Sequence, residues 1–145
     1  MNKSLILLIA LFTMAFTEAN SQDSWQIIVN KKTILKGIVG DEATTAVIKA
    51  GTPIPKGCIY IKFKSASNEA GWKRTFYINN TQDHVVKSFD MPKQSGTICI
   101  KASSLKILQE NKQPFVIYTT SIPNDPAQAA SVRVRRFMLC KIEWN

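Results

Sequence analysis

Cys58-Ile59-Tyr60-Ile61-Lys62-Phe63-Lys64 is the stretch whose reading decides the fold. On an extended chain Ile59, Ile61 and Phe63 share one side, while Cys58, Tyr60, Lys62 and Lys64 share the other. Apolar and polar residues alternating with period two mark a strand that buries one face. Working upstream, Pro53-Ile54-Pro55 and Gly51 end a strand over Ala46–Ala50, because proline lacks the N–H a ladder requires. Thr33–Lys36 and Trp25–Asn30 read as two earlier strands joined at Lys31-Lys32, with a loop at Gly37, Gly40, Asp41 and Glu42. Downstream, the polar turn Ser65–Gly71 leads into a strand over Trp72–Ile78. Asn79-Asn80-Thr81-Gln82-Asp83 tolerates left-handed backbone and predicts a hairpin to Val85–Phe89. Met91–Gly96 is a further turn and Thr97–Ala102 a further strand.

One short helix is expected, capped by Ser103 or Ser104, striped by Leu105 and Leu108, and finished before Pro114. Phe115–Thr120 is apolar on both faces, as a central strand would be. Pro123-Asn124-Asp125-Pro126 breaks the chain, with one helical turn through Ala129, and Val132–Trp144 is the longest strand. Turns recur at short intervals and no βαβ alternation appears. The chain is therefore mostly β: an antiparallel, Greek-key-like β-sandwich of about eight strands with one short helix. A closed barrel is the second architecture.

The N-terminus predicts an address. Met1-Asn2-Lys3 is a short positive region, Leu5–Phe16 is an uncharged apolar run, and Ala19-x-Ser21 is a small-x-small pair. Residues 1–21 read as a signal peptide cut after Ser21, and residues 22–145 as a single β-sandwich domain. The apolar run is shorter than the roughly 20 residues a spanning helix needs, and no later stretch reaches that length. The expectation is an exported protein, periplasmic or secreted, with no transmembrane segment after cleavage.

The net charge of the 145-residue chain is +9, and removing Lys3 and Glu18 together leaves it unchanged. A basic exported domain has polyanionic neighbours: membrane lipid head groups, acidic polysaccharide, extracellular nucleic acid. Its lysines are scattered, however, and scattered charge also serves solubility alone.

Two arginines break the strand pattern. Arg74 falls on the face of Trp72, Phe76 and Ile78. Arg136, in an uninterrupted register, falls among Val132, Val134, Met138, Cys140, Ile142 and Trp144. A bare guanidinium inside a core is costly, so each needs a partner or a sheet end. Three readings follow. Each arginine could pair with a turn carboxylate among Asp41, Glu42, Glu69 and Asp125. A β-bulge at Arg135–Arg136 could turn Arg136 outward. The two could instead build an anion site, Arg74 with Arg136, aided by Arg133 or Lys73.

Cys58 and Cys99 share the lysine-bearing faces of their strands, and Cys140 lies on an apolar face, so a disulfide would join Cys58 to Cys99. An odd cysteine count leaves one thiol over. The roughly forty-residue spacing between cysteines matches no zinc module, so neither metal nor cofactor is expected. His84, the only histidine, lies in a hairpin loop beside Asp83. A thiolate enzyme built from Cys58, Cys99 or His84 is the rival class. No G-x-S-x-G, H-E-x-x-H or phosphate loop is present, and the dispersed carboxylates name no glycosidase pair. The expectation is that the protein is not an enzyme. Tyr60 and Tyr77 beside lysines admit a nonspecific nucleic-acid binder, but no RNP-like motif supports one. Asn79-Asn80-Thr81 fits the glycosylation sequon.

At Trp72-Lys73-Arg74-Thr75-Phe76, and from Asn124-Asp125-Pro126-Ala127 to Val132-Arg133-Val134-Arg135-Arg136, the chain resembles a group of short exported bacterial β-domain proteins with no established activity. The resemblance implies a bacterial envelope setting and carries over no functional residue. The leading expectation is a non-enzymatic exported binding or accessory domain that recognises an acidic envelope component or another protein.

Overall fold

Alternation sets the strands, and the buried side of each shows where the core lies. The computed structural model describes residues 22–49, 57–67 and 69–145. The expected signal peptide and the Gly51–Pro55 break lie outside the described residues. In chain order the elements are β1 (Ser24–Val29), β2 (Lys32–Ile38), β3 (Thr44–Ile48), β4 (Cys58–Lys64), β5 (Trp72–Asn80), β6 (Val85–Met91), β7 (Gly96–Lys101), α1 (Ala102–Glu110), β8 (Phe115–Pro123), α2 (Pro126–Ser131) and β9 (Phe137–Trp144).

Two sheets form the sandwich. One has the order β2-β1-β4-β7 and the other β3-β9-β8-β5-β6. Ile59, Ile61 and Phe63 of β4 face inward, beside Trp25 and Ile27 of β1. The opposite sheet contributes Phe76 and Ile78 from β5, Phe115 and Ile117 from β8, and Ile142 from β9. Phe63 meets Phe76 edge-on across the gap, ring centroids 5.7 Å apart. The sheets keep free edges at β2, β7, β3 and β6, so no barrel closes.

Four local features depart from the reading of the sequence. β3 runs parallel to β9, which makes the second sheet mixed rather than purely antiparallel. α1 leaves β7 directly with Lys101 as its N-cap and no side-chain cap, so Ser103 and Ser104 lie inside its first turn. The helical turn expected through Ala129 runs on to Ser131 as a second helix, α2, capped by Asp125, whose carboxylate accepts from the Ala127 and Gln128 amides, with proline in its first turn. Finally, β9 starts at Phe137, five residues later than expected, because α2 and the segment after it occupy the preceding positions.

A bulge inside β9 decides which arginines reach the core side. Ile117 pairs with Cys140 but Tyr118 pairs with Met138, so Leu139 is an extra residue in the ladder. Leu139 and Cys140 are both buried. An extra residue reverses the in/out parity of everything before it. Phe137 therefore stands opposite the inward Thr119, while Met138 and Arg136 point to the outer face.

Candidate functional site

Arg74 sits on the inner face of β5, one step along from Phe76, near the end of the sandwich where β1 begins and β4 ends. It is 4% exposed. Its guanidinium carbon lies 4.0 Å from the centre of the Phe63 ring, a cation–π contact. Arg74 Nη2 donates to Asp23 Oδ2 at 2.9 Å and to Gln94 Oε1 at 3.3 Å, and Nη1 donates to Thr119 Oγ1 at 3.4 Å. Burial pushes the guanidinium below its ordinary pKa, and the charge and hydrogen bond of Asp23 oppose that fall.

Asp23 precedes β1. Its other oxygen, Oδ1, accepts from Ser65 Oγ at 3.0 Å and from the Ala66 amide at 2.8 Å. Gln94, in the turn between β6 and β7, accepts a second hydrogen bond from Ser121 Oγ at 3.0 Å. This polar plug ties four strand ends and one turn together. Two of its buried donors, Arg74 Nε and Gln94 Nε2, have no acceptor among the described residues.

Above the plug opens a pocket of about 260 Å³, lined among others by Arg74, Gln94, Glu69, Trp72, Arg133, Arg135 and Phe137. The segment after α2 contributes alternate residues, 133, 135 and 137, in keeping with the parity set by the bulge. Arg133 and Arg135 are exposed and have no acidic partner among the described residues. A second pocket of about 350 Å³ adjoins it and shares Glu69, Trp72 and Gln94 as a common wall.

The proposed pairing of Arg74 with Arg136 is corrected by this geometry. Arg136 is on the outer face, where its guanidinium lies 4.2 Å from the centre of the Tyr118 ring. It makes a two-pronged contact with Asp83, 3.0 Å to Oδ1 and 2.9 Å to Oδ2. That contact lowers the Asp83 pKa, with help from Asn79, and raises that of Arg136. Arg133 does join Arg74, and Arg135 takes the place expected for Arg136. Lys73 pairs across β5 with Ile122 and does not line the pocket. The carboxylates expected in the turns are not the partners: Asp23 serves Arg74, and Asp83 serves Arg136. Asp23 was passed over because it lies outside any turn, two residues ahead of the first strand's Trp25.

Cys58 and Cys99 form a disulfide between β4 and β7, with Cα atoms 5.3 Å apart. Cys140 is free and buried, and burial pushes its thiol up to about 12. His84 is exposed, and its amide donates to Asn80 Oδ1 at 2.9 Å. Among the described residues no helix is long and apolar enough to cross a membrane.

Compared with known proteins, the chain matches no family model, no curated protein and no solved structure.

Proposed function

We propose that the domain is an exported, non-enzymatic binding module that captures an acidic group in the pocket above Arg74. One observation carries this reading. Arg133 and Arg135, exposed and without acidic partners among the described residues, converge with Arg74 on a concave site. Exposed guanidinium groups without a carboxylate of their own take a planar carboxylate in a fork. At about 260 Å³ the pocket falls below the range of sites that enclose a whole small molecule, so it holds the acidic end of something larger.

The rival thiolate enzyme finds little support. Its two sulfurs, Cys58 and Cys99, are spent in the disulfide, and the remaining thiol, Cys140, is buried and stays protonated at neutral pH. The disulfide also fits an oxidising compartment, and with it the signal peptide and envelope setting expected from the sequence.

Thermal unfolding in increasing citrate and sulfate tests the reading. Binding to the folded state alone raises the midpoint with ligand concentration. At matched concentrations the wild-type midpoint should climb further than that of the double variant Arg133→Ala, Arg135→Ala, whose rise reports only the general stabilisation that excluded salts give any fold. Equal shifts in both proteins would place the anion elsewhere and end the proposal.

A further inference from the structure

The two adjoining pockets narrow the class of ligand. They meet at Trp72, Gln94 and Glu69, so a ligand anchored at the arginines extends naturally past the indole into the second pocket. We infer that this ligand is an acidic saccharide of the uronate type, its carboxylate on Arg133 and Arg135 and a sugar ring against Trp72. The inference rests on the anion-binding reading above.

Three features favour a sugar acid over a bare anion. The first is the mixture of signs. Glu69 stands in the wall between the two pockets with no cationic partner among the described residues. It can accept hydrogen bonds from hydroxyls, which a bare phosphate or sulfate dianion does not carry. The second is the supply of neutral hydrogen-bonding groups. Ser67 and Ser121 line the first pocket with hydroxyl-bearing side chains, which suit a ring or hydroxyl oxygen as well as a carboxylate. The third is Trp72 itself, half-buried at the junction while Trp25 and Trp144 are in the core. An indole presents a broad apolar surface with a negative π face, which matches the weakly positive C–H face of a pyranose. A carboxylate suits the site better than a sulfate ester, because it is planar and arginine meets it with two parallel bonds.

Calorimetric titration of the intact protein with an oligogalacturonide, its methyl ester, a neutral oligosaccharide of equal length, sodium sulfate and triglycine separates the outcomes. Support requires that the oligogalacturonide bind at least tenfold more tightly than sulfate, triglycine, the ester or the neutral sugar. It also requires a tenfold or greater loss in Trp72→Ala, with Trp72→Phe retaining most of the affinity and both variants unfolding like wild type. If sulfate or triglycine binds through Arg133 and Arg135 while the oligogalacturonide gains nothing from Trp72, the saccharide is overturned and the anion site stands. If none of the charged ligands binds, both readings fall. Equal binding of the methyl ester would overturn the saccharide proposal by removing the carboxylate from recognition.

Discussion

A guanidinium with 4% of its surface exposed needs a counter-charge and an acceptor for each N–H. Arg74 has Asp23, Thr119, Gln94 and the Phe63 ring, and of its three nitrogens Nε alone makes no hydrogen bond among the described residues. Removing such a group strands its partners, but Asp23 is partly open to water, so its charge is not wholly uncompensated. Arg74→Ala should therefore lower stability by about 2–3 kcal/mol in urea unfolding, under the full cost of breaking a fully buried pair. Arg136→Ala, which breaks a surface pair, should leave the same curve almost unmoved. Cys140 gives a pH prediction. Its folded thiol titrates near 12 while an unfolded cysteine titrates near its ordinary value, so the folded state favours the protonated form. That stability is complete at neutral pH and is lost as pH rises from the unfolded pKa toward the folded one. Alkaline unfolding of Cys140→Ala should lack this component. Thiol labelling at neutral pH should find no reactive thiol in the native protein, one after denaturation, and three after denaturation with reduction; three without reductant would remove the disulfide.

At the scale of elements, turns and bulges govern which side chains face where. The β1–β2 turn places Asn30 at φ 52° and Lys31 at φ 63°, with Val29 paired to Lys32. Both central residues are left-handed, as a two-residue primed turn demands, and asparagine accepts this better than lysine does. Lys31→Gly should stabilise the domain by about 0.5–1 kcal/mol in chemical unfolding. Next to it, Gly37 lies across from Trp25, whose ring atom Cζ2 would sit 2.7 Å from an added Cβ. A buried indole has no room to retreat, so Gly37→Ala should cost about 1–3 kcal/mol and shift the near-ultraviolet signal of Trp25. These elements also show what the sequence discloses. Period-two alternation in β4 and β5 gave the inward direction of Arg74 correctly, because both strands are regular at those residues. Unbroken, the same rule points Arg136 inward; the alternative of a bulge turning it outward holds, but the extra residue is Leu139 rather than Arg135–Arg136, and nothing in Met138-Leu139-Cys140 marks that position. The parallel partner of β3 was equally hidden, since alternation reports a strand's face and never its neighbour.

Across the whole molecule the sandwich is held by its shared core and by one covalent link. The disulfide closes a sequence separation of 41 residues between adjacent strands of one sheet. Cross-linking a loop of that length removes unfolded-state entropy on the order of 3–4 kcal/mol. Cys58→Ser with Cys99→Ser should fall by up to that amount in reversible unfolding while keeping the strand spectrum. The overall fold was legible because its inward residues are strongly apolar and its turns carry glycine, proline and asparagine. The pocket was legible only in part. Arg74 and Arg133 stood out as charges in strand-like surroundings, but the convergence of Asp23, Gln94, Ser121 and Trp72 depends on tertiary pairing that one-dimensional spacing does not encode.

The parallel pairing of β3 with β9 has a temporal consequence. Among the described residues β3 has β9 as its one strand neighbour, and β9 comes more than eighty residues later in the chain. During synthesis β3 must wait, unpaired, until the final strand has left the ribosome. A chain so arranged completes its second sheet last, and a nascent polypeptide stopped before Phe137 would expose Ala46 and Ile48 to water.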